Sequence, residues 1–223
     1  MSAAPQNPSG KMRVAVLISG SGSNLQSLIQ ETQKENHPAE IALVISNKAD
    51  AYGLERAKNN GIKTKYLDHK AYANREAFDK AIHWVLVEEK IQLVCLAGFM
   101  RILTPEFVRE WPNRILNIHP SLLPSFTGLD VHQRAIDAGA RFSGCTVHVV
   151  DEGLDEGPIV VQAVVPILQD DSADTLASRI ITMEHKIYPK ALEWFASGRA
   201  RVDGQRVFID GESEPPAPIM WPV

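Results

Sequence analysis

An amide and an imidazole stand two residues apart in the segment LNIHPSLLP, residues 116–124. Side chains alternate between the faces of a strand, so Asn117 and His119 would point to one face and Leu116 and Ile118 to the other. Asparagine is a neutral hydrogen-bond donor, and histidine carries a proton near neutral pH. The pair could stabilise a developing oxyanion and move a proton in an acyl-type transfer.

Carboxylates that could complete such a site occur in DEGLDEG, residues 151–157. A negative charge from an aspartate of this segment would hold the imidazole of His119 protonated. The plainer interpretation is that a histidine at a strand end is a satisfied polar group and that asparagine before a turn is commonplace. These residues alone leave both interpretations open.

The glycine-rich segment SGSGSN, residues 19–24, joins a predicted strand to a predicted helix. It is not a dinucleotide fingerprint, because Leu25 occupies the position of the third glycine and no acid closes the second strand. It is not a P-loop, because no Gly-Lys-Ser follows. Backbone N–H groups at a helix N-terminus suit a monophosphate. The alternative is an ordinary capped loop with Ser23 or Asn24 as the N-cap.

Apolar runs and amphipathic stretches alternate along the chain. Strands are predicted at 12–19, 41–46, 62–68, 92–99, 115–119, 144–151 and 158–167, helices at 24–35, 52–61, 74–90, 105–110, 130–138 and 172–194, and a hairpin at 200–211. The pattern predicts an α/β fold with an open, mostly parallel, doubly wound sheet and helices on both faces. We expect a single domain at 12–210, a flexible tail at 1–11 and a poorly ordered tail at 211–223.

In such a sheet, ligands bind where the strands end at their carboxyl edge. Four segments follow predicted strands and would share this edge: 20–24, 98–102, 117–123 and 151–157. The pattern therefore predicts one site built from these four segments.

The composition excludes several classes of partner. The 223 residues carry a formal charge of −4, which gives no electrostatic reason to expect nucleic acid or an anionic membrane. The two cysteines, Cys95 and Cys145, lack metal-ligand spacing and are expected to be reduced thiols. Without a signal peptide or an apolar run of membrane length, we expect a cytoplasmic protein with no metal, nucleic-acid or membrane partner.

Several segments together resemble the folate-dependent formyltransferases, and among these the enzymes that formylate glycinamide ribonucleotide (GAR). They are LNIHPSLLP, SGSGSN, SNKADAYGLERA, LAGFMRIL, VHVVDEGLDEGPIVVQ and EHKIYP, and they cover the chain from about residue 13 to 208. HPSLLP is shared with methionyl-tRNA formyltransferase and formyltetrahydrofolate deformylase, whereas the phosphate loop, SNK and EHKIYP favour the GAR enzymes. One departure is Thr127, where the family usually has proline, so we expect a more mobile loop.

The resemblance implies a Rossmann-like formyltransferase fold, with 10-formyltetrahydrofolate as formyl donor, no metal, and a monomer or weak homodimer. A phosphate-binding half would extend to about residue 100, followed by a folate-binding and catalytic half. The catalytic residues implied are Asn117, His119 and Asp155, with His148 in support. The GAR ligands implied are Gly22, Ser23, Asn24 and Glu184, and the folate ligands are Arg75, Met100, Arg101, Ile102, Leu103, Asp151, Glu152, Gly153 and Leu154.

Two of these assignments have plain alternatives. Glu184 lies i+4 from Ile180 at the edge of an apolar stripe, where an inward-leaning acid is costly without a partner. A sugar hydroxyl would be such a partner, and a surface salt bridge is the alternative. Arg75 could equally be a solvated charge on a helix. The whole chain could also be a hydrolase that releases formate from the folate, or a binding module without catalysis.

Overall fold

The computed structural model describes residues 10–211, 217, 220 and 221. The predicted tails, 1–11 and 211–223, therefore lie almost entirely outside the described residues. Within the described part, the strands are β1 Met12–Ile18, β2 Ala39–Ser46, β3 Lys63–Tyr66, β4 Leu93–Leu96, β5 Ile115–His119, β6 Phe142–Val149, β7 Ile159–Pro166, β8 Ala200–Asp203 and β9 Arg206–Ile209. The helices are α1 Ser23–Thr32, α2 Tyr52–Asn59, α3 Arg75–Glu88, α4 Pro105–Glu110, α5 Val131–Asp137 and α6 Ala173–Ala196, with a 3₁₀ turn at His69–Ala71.

All strands join one nine-stranded sheet in the order β3-β2-β1-β4-β5-β6-β7-β9-β8. Strands β1 to β5 pair in parallel, as the sequence predicts. The chain moves outward from β1 to β3 and then returns to the other side of β1 with β4. This reversal is a topological switch point, where the connections after two neighbouring strands diverge and leave a crevice.

Alternate residues of β1 face two different apolar layers. Val14, Val16 and Ile18 pack in a cluster with residues of α1 and α6. Ala15 and Leu17 pack in a second cluster with residues of α3 and α4. The sheet is therefore covered on both faces, which confirms the predicted doubly wound architecture.

Strand β6 runs antiparallel to β5, and this contradicts one step of the sequence argument. Leu116 pairs with Val149 and His119 with Thr146, so β6 ends beside the beginning of β5. The segment 151–157 does not leave from the edge at which β1, β4 and β5 end, as the sequence analysis assumed. It connects the antiparallel neighbours β6 and β7 and folds over the sheet face that carries α4, where Glu152 pairs with Arg109.

Candidate active site

Strand β5 shows the expected alternation of side chains. Leu116 and Ile118 are buried in the cluster that includes α6. Asn117 and His119 point to the other face, which the 151–157 loop covers. The strand end therefore presents an amide and an imidazole side by side to that loop.

Asn117 is oriented by His148, its neighbour across the β5–β6 pair. The Nδ2 of Asn117 lies 3.1 Å from Nε2 of His148, whose Nδ1 lies 3.1 Å from the carbonyl oxygen of Val149. Burial lowers the pKa of His148, so its ring is neutral and carries its single proton on Nδ1, which donates to Val149. Nε2 then accepts from the amide. Because an amide nitrogen has two hydrogens, the second N–H of Asn117 stays available for a substrate oxygen.

His119 lies between two acceptors. Its Nδ1 is 3.4 Å from Oδ2 of Asp155, and its Nε2 is 3.0 Å from the carbonyl oxygen of Phe126. Asp155 also accepts from the N–H of Gly128 at 3.0 Å and lies 3.8 Å from Nε2 of His148. The side chain of His119 is buried, and that of Asp155 is 10% exposed. An imidazolium would satisfy both of its acceptors, and it would compensate the buried carboxylate.

A second polar pair lies beside His119. Nδ2 of Asn24 in α1 donates to Oε2 of Glu184 in α6 at 2.6 Å. Burial raises the pKa of Glu184, and the Asn24 hydrogen bond and the charge of His119 oppose that rise. Oδ1 of Asn24 is buried and has no partner among the described residues. The pair therefore offers one carboxylate and one unused amide oxygen to a ligand that donates hydrogen bonds.

Helix α1 begins without a side-chain cap. Its N-cap is Gly22, with φ of 70°, so neither Ser23 nor Asn24 has the capping role considered as the alternative. A side chain at Gly22 would place its Cβ 2.7 Å from Cα of Gly53, which explains glycine here apart from any ligand. The first N–H groups of α1 remain without a capping oxygen, as an anion site requires.

The residues implied in folate binding separate into three groups. Met100, Ile102 and Leu154 expose 65%, 60% and 50% of their surface, which is unusual for large apolar side chains and suits an apolar ligand. Leu103 is buried in the core with α3 and α4, so only its backbone can contact a ligand. The remaining positions are charged side chains and a glycine, without such apolar surface. Arg75 is exposed, and the guanidinium of Arg101 lies 6.0 Å from the ring centroid of Phe78. Glu152 pairs with Arg109 at 2.7 Å, and Asp151 accepts a hydrogen bond from the N–H of Gly153.

Three buried polar residues in this part of the fold were not identified by the sequence analysis. Ser19 and Asn47 follow β1 and β2, and the strand-end argument applied to the other segments could have found them. Asp79 lies on the apolar face of α3, three residues before Ile82. The check applied to Glu184, an acid within an apolar stripe, would have identified it too.

A metal-binding cluster and a membrane-spanning helix are both absent from the described part of the chain. No group of three or more His, Cys, Asp or Glu side chains there has a metal-binding arrangement. No helix among the same residues combines the length and hydropathy needed to cross a bilayer.

A doubly wound sheet with an amide donor and an imidazole at a strand end, facing a loop carboxylate, is suited to group transfer of the acyl type. Comparison with known proteins gives the family. The model of the formyl transferase family matches residues 12–192, and the chain belongs to this family.

Relatives of two different sizes resemble the chain. Phosphoribosylglycinamide formyltransferase of Escherichia coli is 44% identical over 205 residues, which cover 92% of this chain and 97% of the relative. The trifunctional purine biosynthetic protein adenosine-3 of Homo sapiens is 52% identical over 192 residues, which cover 86% of this chain. The chain spans only 19% of the length of that trifunctional relative. Among solved structures, glycinamide ribonucleotide transformylase 1 from Symbiobacterium toebii has a TM-score of 0.87 and 48% identity, over 89% of this chain and 94% of that one.

Proposed function

We propose that the protein transfers the formyl group of 10-formyltetrahydrofolate to the amine of GAR, giving formyl-GAR and tetrahydrofolate. The observation that carries the proposal is the buried cluster in which Asp155 lies 3.4 Å from His119, beside an Asn117 amide with one uncommitted N–H. Membership of the formyl transferase family indicates that the transferred group is a formyl group.

The acceptor half of the site favours a ribonucleotide. The uncapped N-terminus of α1, with Gly22, Ser23 and Asn24, suits the phosphate of GAR, because backbone N–H groups and the helix dipole both attract an anion. Hydroxyl groups of the ribose can donate to Glu184 and to Oδ1 of Asn24. Ribose binding would explain why a buried acid lies beside an amide oxygen that has no hydrogen-bond partner among the described residues.

The donor half of the site suits a flat, partly apolar heterocycle. The ring and its linker would cover the exposed side chains of Met100, Ile102 and Leu154 and remove them from water. The N–H groups of Arg101, Ile102 and Leu103 have no hydrogen-bond partner within residues 10–211, so they can recognise the polar edge of the ring. The 10-formyltetrahydrofolate would supply an activated formyl carbon at this position.

The reaction adds the amine of GAR to the formyl carbon, and negative charge develops on the formyl oxygen. The free N–H of Asn117 and the imidazolium of His119 stabilise that oxygen. Both nitrogens of His119 already face oxygen atoms, so donation to the substrate replaces the contact with Asp155 or the hydrogen bond to the carbonyl of Phe126. The proton lost by the amine passes to the leaving folate nitrogen through His119, Asp155 or a water molecule.

The test follows the products with and without the acceptor. The purified protein is incubated with 10-formyltetrahydrofolate, and tetrahydrofolate, formate and formyl-GAR are quantified by mass spectrometry. We expect tetrahydrofolate and formyl-GAR in equal amounts, and only when GAR is present. Formate release without GAR would identify a hydrolase, and folate binding without any product would identify a binding module.

A further inference from the structure

The segment Met100–Leu103 is held at its two ends by side chains from elsewhere in the fold. The N–H of Met100 donates to Oγ of Ser19 at 2.8 Å, and the N–H of Thr104 donates to Oδ2 of Asp79 at 2.7 Å. No backbone–backbone hydrogen bond involves residues 100–103 in the described part of the chain. Two side chains therefore supply its backbone anchors.

Asp79 is an unusual anchor because it is a carboxylate inside an apolar layer. It is 2% exposed on α3, where Phe78 and Ile82 belong to the core. Burial raises the pKa of Asp79, and the hydrogen bond from Thr104 is the main opposing effect. Its Oδ1 has no partner within the described residues. The charges of two nearby arginine side chains also favour its ionised form. Removing the acid would leave the N–H of Thr104, the N-cap of α4, without its acceptor.

Ser19 is oriented by a further residue. Its Oγ donates to Oδ1 of Asn47 at 2.6 Å, and this uses its only hydrogen. The oxygen is thereby left as an acceptor for the N–H of Met100. Ser19 and Asn47 follow the neighbouring strands β1 and β2, so this anchor is fixed to the rigid centre of the sheet.

We propose that Asp79 and Ser19 are positioning residues that fix the Met100–Leu103 segment in the shape that receives the folate. Anchored at both ends, the segment keeps its unpaired N–H groups directed to the ring without reorganising on binding, which preserves affinity. The inference rests on the proposed function, because it takes this segment as part of the donor site. Both side chains accept hydrogen bonds from backbone N–H groups, so the proposed role acts through the backbone.

The test compares two substitutions of Asp79. Asp79→Ala removes the acceptor for the Thr104 N–H, whereas Asp79→Asn keeps a carbonyl oxygen in the same place. For Asp79→Ala we expect the KM for 10-formyltetrahydrofolate to rise about tenfold, as expected for a lost buried hydrogen bond. The KM for GAR should stay within about twofold, and Asp79→Asn should restore most of the folate affinity.

Circular dichroism and urea unfolding establish that each variant is folded. Should Asp79→Ala fail to fold, Ser19→Ala, which removes only one oxygen, carries the same expectation for the two KM values. An unchanged folate KM, an equal rise in both KM values, or no rescue by Asp79→Asn would overturn the proposal. Failure of the proposed function is a separate result, because it would show as absent GAR-dependent transfer in the wild-type protein.

Discussion

At the scale of single residues, the proposed function gives the charge of Asp155 a catalytic role. Because Asp155 lies 3.4 Å from Nδ1 of His119, Asp155→Asn keeps the shape of the side chain but removes the negative charge that faces the ring. We expect kcat to fall about a hundredfold or more, with smaller changes in both KM values. Steady-state kinetics at fixed pH measure this. Glu156→Gln, an exposed acid in the same loop, is the control, and an Asp155→Asn enzyme within about threefold of wild type would contradict the role.

The buried carboxylate of Glu184 is expected to lower the stability of the protein and to strengthen the binding of GAR. Burial raises its pKa in the folded protein above the ordinary value of 4.5, so the folded state binds the proton more tightly than the unfolded chain. The free energy of unfolding therefore falls as pH rises from about 4.5 through the raised folded pKa. Glu184→Gln removes this loss, because glutamine does not titrate.

We therefore expect Glu184→Gln to be more stable than wild type at about pH 7 to 8. The difference in the free energy of unfolding should become smaller toward about pH 4, the ordinary titration range of an acid. Its affinity for GAR should fall about tenfold, because a neutral amide accepts more weakly from a sugar hydroxyl than a carboxylate does. Urea unfolding across this pH range and calorimetry with GAR measure the two effects. A stability advantage that grows as pH falls would contradict the assignment.

At the scale of elements, the loop between β1 and α1 combines a packing requirement with a binding role. Gly22 has φ of 70°, and a Cβ there would lie 2.7 Å from Cα of Gly53, so Gly22→Ala strains the backbone and forces two segments apart. We expect Gly22→Ala to lower the free energy of unfolding by about 1–3 kcal/mol and to weaken GAR binding. Urea unfolding and calorimetry check both.

Gly20→Ala is the matched control in the same loop. A Cβ at Gly20 would meet no atom within 4 Å, and this glycine does not have a positive φ. Its stability should stay within about 0.5 kcal/mol of wild type. Equal stability of the Gly22→Ala and Gly20→Ala proteins would contradict the packing argument.

The parallel half of the sheet was predictable from the sequence, whereas the antiparallel half was not. Apolar runs identify β1 and β4 because a strand covered on both faces has no polar side. Such runs contain no information on strand direction, and the 22 residues between β5 and β6 are long enough for a crossover or a reversal. The direction of β6 is a tertiary property, because it depends on pairing with β5 between residues distant in sequence.

The residues of the candidate site were predictable to a similar degree. Alternation on a strand placed Asn117 and His119 correctly on one face, since the period of two is a local property. That Leu103 would turn into the core and Glu152 toward Arg109 could not be predicted, because loop side chains follow contacts distant in sequence. Asn24 was assigned by motif to phosphate, whereas its side chain is bonded to Glu184, 160 residues away.

At the scale of the whole molecule, the switch point between β1 and β4 brings two half-sites together. After β1 the chain enters α1, which packs on one face of the sheet, and after β4 it enters α4, which packs on the other. The proposed acceptor region at α1 and the proposed donor segment after β4 therefore flank one crevice, and β5 carries Asn117 and His119 beside it. The same unit is matched by nearly the full length of the Escherichia coli relative and by a fifth of the human trifunctional relative.

The most direct test of the central claim follows the formyl carbon itself. The protein is mixed with 10-formyltetrahydrofolate labelled with ¹³C in the formyl group, with and without GAR, and the label is observed by NMR. We predict that the label stays on the folate without GAR and moves to formyl-GAR, with no labelled formate, when GAR is added. In Asn117→Ala, transfer should slow about a hundredfold or more while both substrates still bind. Labelled formate as the main product, or transfer at the wild-type rate in Asn117→Ala, would contradict the account.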